Sequence, residues 1–275
     1  MIKDFEYIIE PTRKKVFDLK ELWQYRELFY FFTWRDVKVK YKETVLGIIW
    51  VILQPILSVA IFSMFFGRGL NVPSAGLPYP VFVFSGLLLW TVFSASISNG
   101  GNSMVTNAPI IKKIYFPRII IPISCILVST IDFIIAFAVF LVMLMYYNVA
   151  VDFQGVLYFW PAAFLLMLLG TLGISCWLAA LNVKYRDFRF VIPFGLQIAL
   201  FVTPVIYPIS ILGDTSLTYV LAINPMYGAI MLFRAPFGLV VSKPELLISL
   251  LSSFILLLWG VYYFKKTEAY FADIA

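Results

Sequence analysis

Histidine is absent from the 275 residues, and only two cysteines occur, Cys125 and Cys176. The first absence removes the commonest metal ligand and the usual proton shuttle near neutral pH. Both cysteines stand inside apolar runs, where a small buried thiol needs no redox role. Charge is scarce as well: 13% of the residues are Asp, Glu, Lys or Arg, where soluble domains carry about 25%. This excludes a soluble enzyme, a disordered chain and a coiled-coil rod. No G-x-x-x-x-G-K-[ST] phosphate loop occurs, so the chain lacks the usual means of binding ATP. Gly67-Arg68-Gly69 and Asn99-Gly100-Gly101-Asn102 read as turns, not phosphate cradles. With no acid, base and nucleophile grouped together, no catalytic residue and no metal ligand are assigned.

What the chain has is apolar surface: 62% of residues are hydrophobic and 18% aromatic, with a mean hydropathy of +0.92. That is the composition of an all-α integral membrane protein. Charge-free gaps long enough to cross a bilayer as helices fall at Leu46–Phe66, Pro80–Ile97, Ile119–Tyr147, Leu157–Leu181, Phe190–Tyr207 and Leu246–Phe264. The predicted organisation is an N-terminal segment over 1–44, a six-span domain over 45–264 and a tail over 265–275.

Of the 21 basic residues, 18 fall in the N-terminal segment, the loops after spans two and four, and the tail. Only Arg68, Arg234 and Lys243 fall on the other side. The positive-inside rule therefore places both termini in the cytoplasm. The net charge of +6 reports this topology and does not point to a nucleic-acid partner. The first twenty residues are charged and do not read as a cleavable signal. Leu22, Tyr25, Phe29 and Phe32 recur at three and four residues opposite Lys20, Gln24 and Glu27, the pattern of an amphipathic helix at the membrane surface. A plain lipid anchor is the simpler reading of that helix. Between Pro208 and Pro244, two short apolar runs are broken by Gly213, Pro225, Gly228, Pro236 and Gly238. They predict a pair of half-helices dipping back from the outer face, or else a surface loop.

Asp132 lies about 13 residues into span three, roughly 20 Å at 1.5 Å per residue. With no other charge in any span, three roles stay open for it: structural hydrogen bonding, lining a path, or ion coupling. The loops Asn107–Arg118 (NAPIIKKIYFPR) and Asn182–Arg189 (NVKYRDFR) mix charge with aromatic side chains. A docking surface for a cytoplasmic partner explains Phe116, Tyr185 and Phe188 better than solvent exposure does.

The blocks WRDVKVKYKETVLGIIWVILQP from Trp34, LPYPVFVFSGLLLW at 77–90, NAPIIKKIYFPRIIIPI at 107–123, LNVKYRDFRFVIPFGLQIALFVTPVIYP at 181–208, NPMYGAIMLFR at 224–234 and EAYFADI at 268–274 resemble the permeases of type-2 ABC exporters. The branch they resemble is the polysaccharide and polyol-phosphate exporters, which handle O-antigen, capsule and teichoic acid. The resemblance implies a homodimer in the inner membrane, docked to two cytoplasmic ATPase subunits that hold ATP and Mg, with no cofactor on this chain. It implies an interface helix carrying Trp34, Arg35, Asp36, Lys40 and Tyr41. A main coupling helix would be formed by Asn107, Lys112, Lys113, Phe116, Pro117 and Arg118, with a second contact at Tyr185, Arg186 and Asp187. In it, Phe116 is the expected apolar knob in a cleft of the ATPase, so Phe116→Ala should uncouple hydrolysis from export. The short helices between spans five and six become outer gate helices, and Asp132, Trp50, Trp90, Tyr207, Tyr227 and Arg234 become the candidate path and gate residues. The implied cargo is a lipid-linked glycan, O-antigen foremost. The rival readings are a type-2 exporter of a small hydrophobic molecule or drug, and an ion-coupled secondary transporter.

Overall fold

The computed structural model describes residues 19–42, 47–213, 216–268 and 271. The first eighteen residues, the expected start of span one at Leu46 and most of the EAYFADI block lie outside the described residues. Among the described residues every regular element is a helix. α1 (Leu19–Gln24) and α2 (Arg26–Lys42) come first. α3 (Gly47–Phe62) passes directly into a π-helical turn, Ser63–Gly69. α4 (Tyr79–Thr106), α5 (Ala108–Ile111), α6 (Ile120–Tyr146) and α7 (Phe153–Lys184) follow. α8 (Phe188–Val202), α9 (Leu217–Leu221), α10 (Pro225–Arg234) and α11 (Lys243–Thr267) complete the chain, with 3-10 turns at Ile209–Leu212 and Ala235–Phe237.

Among the described residues, five helices are long and apolar enough to cross a membrane: Ile49–Gly69, Tyr79–Thr106, Ile120–Tyr146, Phe153–Lys184 and Lys243–Thr267. α8 is apolar but has 15 residues, about 22 Å against a hydrocarbon core of about 30 Å. The expected fifth span reached Tyr207. The helix stops earlier because Thr203 is extended, with φ −83° and ψ 139°, as the ring of Pro204 demands of the residue before it.

α4 is the centre of the bundle. Its first half is largely apolar on every side, and residues 81–90 are all buried, as a helix surrounded by others must be. α6 and α7 pack on it directly, and α11 packs on α7. α3 and α8 stay outside, presenting Trp50, Ile56 and Ile61 from one and Phe190, Phe194 and Phe201 from the other.

The two glycine motifs are helical, contrary to the turn expectation. Asn99–Asn102 lies within α4, where a Cβ on Gly100 would stand 2.9 Å from Ser175 of α7. Asn182 donates to the Gly101 carbonyl at 3.1 Å and to Asn102 Oδ1 at 2.8 Å. Close packing here outweighs the helix cost of glycine, about 1 kcal/mol each. Gly67–Gly69 forms part of the π-turn against the ring of Tyr79. The tightest approach joins α7 and α11, where a Cβ on Gly260 would fall 1.9 Å from the Gly173 carbonyl oxygen. These two helices are in backbone contact.

Candidate functional site

At one end of the bundle, the loops rich in lysine and arginine converge on a shared apolar cluster. It holds Phe32 of α2, Met104 of α4, Ile111 of α5, Phe116, Ile120 of α6, Val183 of α7, Phe264 of α11 and Phe271. The periodic stripe of the N-terminal helices faces it, with Leu22, Tyr25 and Phe29 packed alongside and Phe32 1% exposed. Arg35 connects this helix to the loop: its guanidinium donates to Asn107 Oδ1 at 2.9 Å and to Asp36 Oδ1 at 2.8 Å. Trp34 lies on the outer side beside Tyr30, with ring centroids 6.3 Å apart.

Phe116 is not a surface knob. It is 2% exposed, with its ring 5.5 Å from that of Phe32, and Pro117 is buried beside it. Phe116 is the aromatic side chain buried at the elbow between α5 and α6. The exposed tip is formed instead by Lys112, Lys113, Ile114 and Tyr115, the last 72% exposed. Tyr185, Arg186 and Asp187 are exposed at the same end. Sequence reading missed Ile114 and Tyr115 because composition cannot say which side of an elbow faces inward.

Asp132 is not a lone carboxylate. Lys40 forms an ion pair with its Oδ2, and Tyr41 donates a hydrogen bond to its Oδ1. Both partners come from the last turn of α2, which packs along α6. Burial first, and then the bond to Asp132, pushes the Tyr41 phenol well above its usual pKa, so the group stays a protonated donor. Among the described residues, Lys40 and Asp132 are also the only charged ones lining a cavity of about 620 Å³ between α3, α4, α6 and α8. Gln54, Ser94, Ser98 and Ser129 add polar groups to its wall, and Trp50, 54% exposed, forms part of its rim. Trp90, expected on such a path, is 6% exposed and sits in the central apolar cluster against Phe93.

At the opposite end, the segment between α8 and α11 folds back into the protein. All ten residues of α10 are buried. Asn224 caps this helix, accepting from the Met226 amide at 3.0 Å, while its amide donates to the Thr203 hydroxyl at 2.7 Å. Arg234 closes the other end. Its guanidinium donates to Ser85 Oγ at 2.9 Å and to the carbonyls of Pro204, Phe82 and Val205 at 2.8, 2.9 and 2.7 Å. It also stands 3.7 Å from the centroid of the Phe82 ring. One buried cation therefore holds α10, the start of α4 and the bend after α8 together. Tyr227 is fully buried and Tyr207 half-buried, its hydroxyl donating to Val202 O at 3.0 Å. Tyr227 and Arg234 are both buried, and neither lines the cavity beside Asp132. Among the described residues no group of acidic, cysteine or histidine side chains could hold a metal.

Long apolar helices around a buried α4, a polar-walled cavity and a basic end with exposed aromatic tips define a multi-pass membrane transport subunit. Residues 27–237 match the ABC-2 type transporter family, and the chain belongs to it. It is similar to the O-antigen export system permease protein RfbA of Myxococcus xanthus, at 32% identity over 80% of this chain and 83% of that protein. It is similar as well to a protein of the same name in Klebsiella pneumoniae, at 28% identity over 90% of this chain and 95% of the relative.

Proposed function

We propose that this chain is the membrane-spanning subunit of an ATP-driven exporter that moves a lipid-linked polysaccharide, O-antigen foremost, across the cytoplasmic membrane. The observation that carries the reading is the pair of relatives named as O-antigen export permeases, aligned over 83% and 95% of their lengths. The cavity supports it: hydroxyls, an amide, an ion pair and an exposed tryptophan suit a ligand with hydroxyl groups and apolar ring faces better than a wholly apolar one. In this reading the basic end is cytoplasmic, and the exposed tips at Lys112–Tyr115 and Tyr185–Asp187 meet two ATPase subunits that hold ATP and Mg. α3 and α8, whose outward faces are apolar, pair with a second copy, so that two cavities face one another. α8 with the bend at Thr203 serves as the fifth crossing, and α9 and α10 serve as the outer gate.

Deletion of the gene in its host tests the reading. Loss of surface glycan with build-up of its lipid-linked precursor inside is the expected outcome, reversed by the intact chain. Unchanged surface glycan, with raised retention of small hydrophobic compounds, would favour a drug or small-lipid exporter. The buried position of Phe116 redirects the coupling test to Tyr115. Tyr115→Ala is expected to weaken co-purification with the ATPase, because an exposed aromatic anchor at an interface is worth about 2 kcal/mol or more. Phe116→Ala is expected to lower the amount of folded permease, since truncating a buried phenylalanine costs about 3–5 kcal/mol.

A further inference from the structure

The EAYFADI block at the C-terminus has no part in the function argued so far, although two of its residues are locked into the basic end. Glu268 is 6% exposed and Phe271 fully buried. The Glu268 carboxylate accepts from the backbone amide of Arg118 at 3.1 Å and pairs with Lys265 at 3.1 Å. The Arg118 guanidinium donates to the Glu268 carbonyl and lies 5.8 Å from the centroid of the Phe271 ring. Phe271 in turn packs edge-on against Phe264 of α11, with ring centroids 5.1 Å apart. The tail therefore grips the elbow where the exposed loop turns into α6.

α11 continues from this grip to the other end of the molecule. It is fused to α7 at Gly260 and Gly173. Further along, Ser249 accepts from the Gly228 amide of α10 at 3.1 Å and donates to the Ala222 carbonyl at 2.7 Å. A Cβ on Gly228 would stand 2.6 Å from Ser249, so no slack separates the two helices. From Glu268 to Ser249 the helix spans about 28 Å at 1.5 Å per residue. A packed, hydrogen-bonded rod of this kind passes displacement from one end to the other with little loss.

We propose that Glu268 and Phe271 are positioning residues that form the joint between the loop 112–118 and α11, and that α11 carries the movement of this loop to α10. The proposal rests on the reading that this loop meets the ATPase. Its route differs from one through α6 alone, because the loop is tied directly to the last helix and not only to the one that follows it in sequence.

The test uses the complete complex expressed in its host, with co-purification, ATP hydrolysis and surface glycan read together. Phe271→Ala and Glu268→Ala are expected to retain the ATPase and its hydrolysis while export falls about tenfold or more, within the usual range of coupling between sites. Glu268→Gln keeps an oxygen acceptor for the Arg118 amide and is expected to restore export. Normal export in both alanine variants overturns the joint, and so does loss of the ATPase, which would make the tail a docking element. Should Phe271→Ala fail to accumulate, the Glu268→Ala and Glu268→Gln pair decides alone. If Tyr115→Ala breaks the complex while the tail variants export normally, only the joint fails. If Tyr115→Ala changes neither assembly nor export, the loop reading falls and takes the joint with it.

Discussion

At the scale of single residues, two groups contradict what a membrane sequence suggests on its face. Asp132 looked isolated because its partners, Lys40 and Tyr41, are about ninety positions away and belong to a segment too charged to cross. The ion pair is partly exposed, with side chains 42% and 22% accessible, so its worth is that of a surface pair, about 0.2–1 kcal/mol. A double-mutant cycle on Lys40→Ala and Asp132→Ala, read by thermal unfolding in detergent, is expected to show non-additivity of about that size. The Tyr41 phenol has its pKa raised in the folded protein. Its contribution is therefore complete below the unfolded value near 10 and is lost only as pH rises beyond it. The difference in stability between the protein and Tyr41→Phe is expected to be constant from pH 6 to 9, in the range where no phenol titrates. Arg234 is the other such residue. A buried charge with no carboxylate beside it among the described residues is costly unless its N–H groups are used, and here four of the five guanidinium N–H donors have acceptors. Arg234→Met keeps the volume but strands buried carbonyls, and is expected to lower stability by about 2–4 kcal/mol.

At the scale of elements, the long helices and the inward stripe of the N-terminal helices were legible from charge spacing and from the three-to-four repeat of Leu22, Tyr25, Phe29 and Phe32. The ends of those elements were not. α4 runs nine residues past the expected Ile97 because uncharged Asn99–Ser103 continues as helix, and glycine there marks contact with a neighbour that no local pattern encodes. α8 ends early for a reason that was present in the sequence, the proline at 204. The burial of Phe116 and Trp90 depends on which neighbours arrive from distant segments, and that information is non-local. The α7–α11 contact gives the direct check on this reading of glycine. Gly260→Ala is expected to lower the unfolding temperature sharply, since its Cβ would collide with backbone at 1.9 Å. Gly195→Ala, with nothing within 4 Å, is expected to leave that temperature unchanged or to raise it by the gain in helix propensity. Equal effects at the two sites would show that the helices are not in backbone contact.

At the scale of the whole molecule, the chain has a firm interior and a loosely covered side. α4, α6, α7 and α11 form the packed body, and α10 is built into it, while α3 and α8 stand against the outer wall of the cavity with apolar faces unmatched. In the proposed exporter the packed body would carry movement from the loops to α10, and the apolar faces of α3 and α8 would be covered by the second copy. In the proposed function this body serves a glycan exporter driven by a separate ATPase. The measurement that bears on it most directly is native mass spectrometry of the complex purified with its ATPase from the host, without added substrate. A particle of two permeases and two ATPases carrying a lipid-linked glycan is the expected result. A permease that purifies alone, or a two-plus-two complex that carries only small hydrophobic molecules, would contradict it.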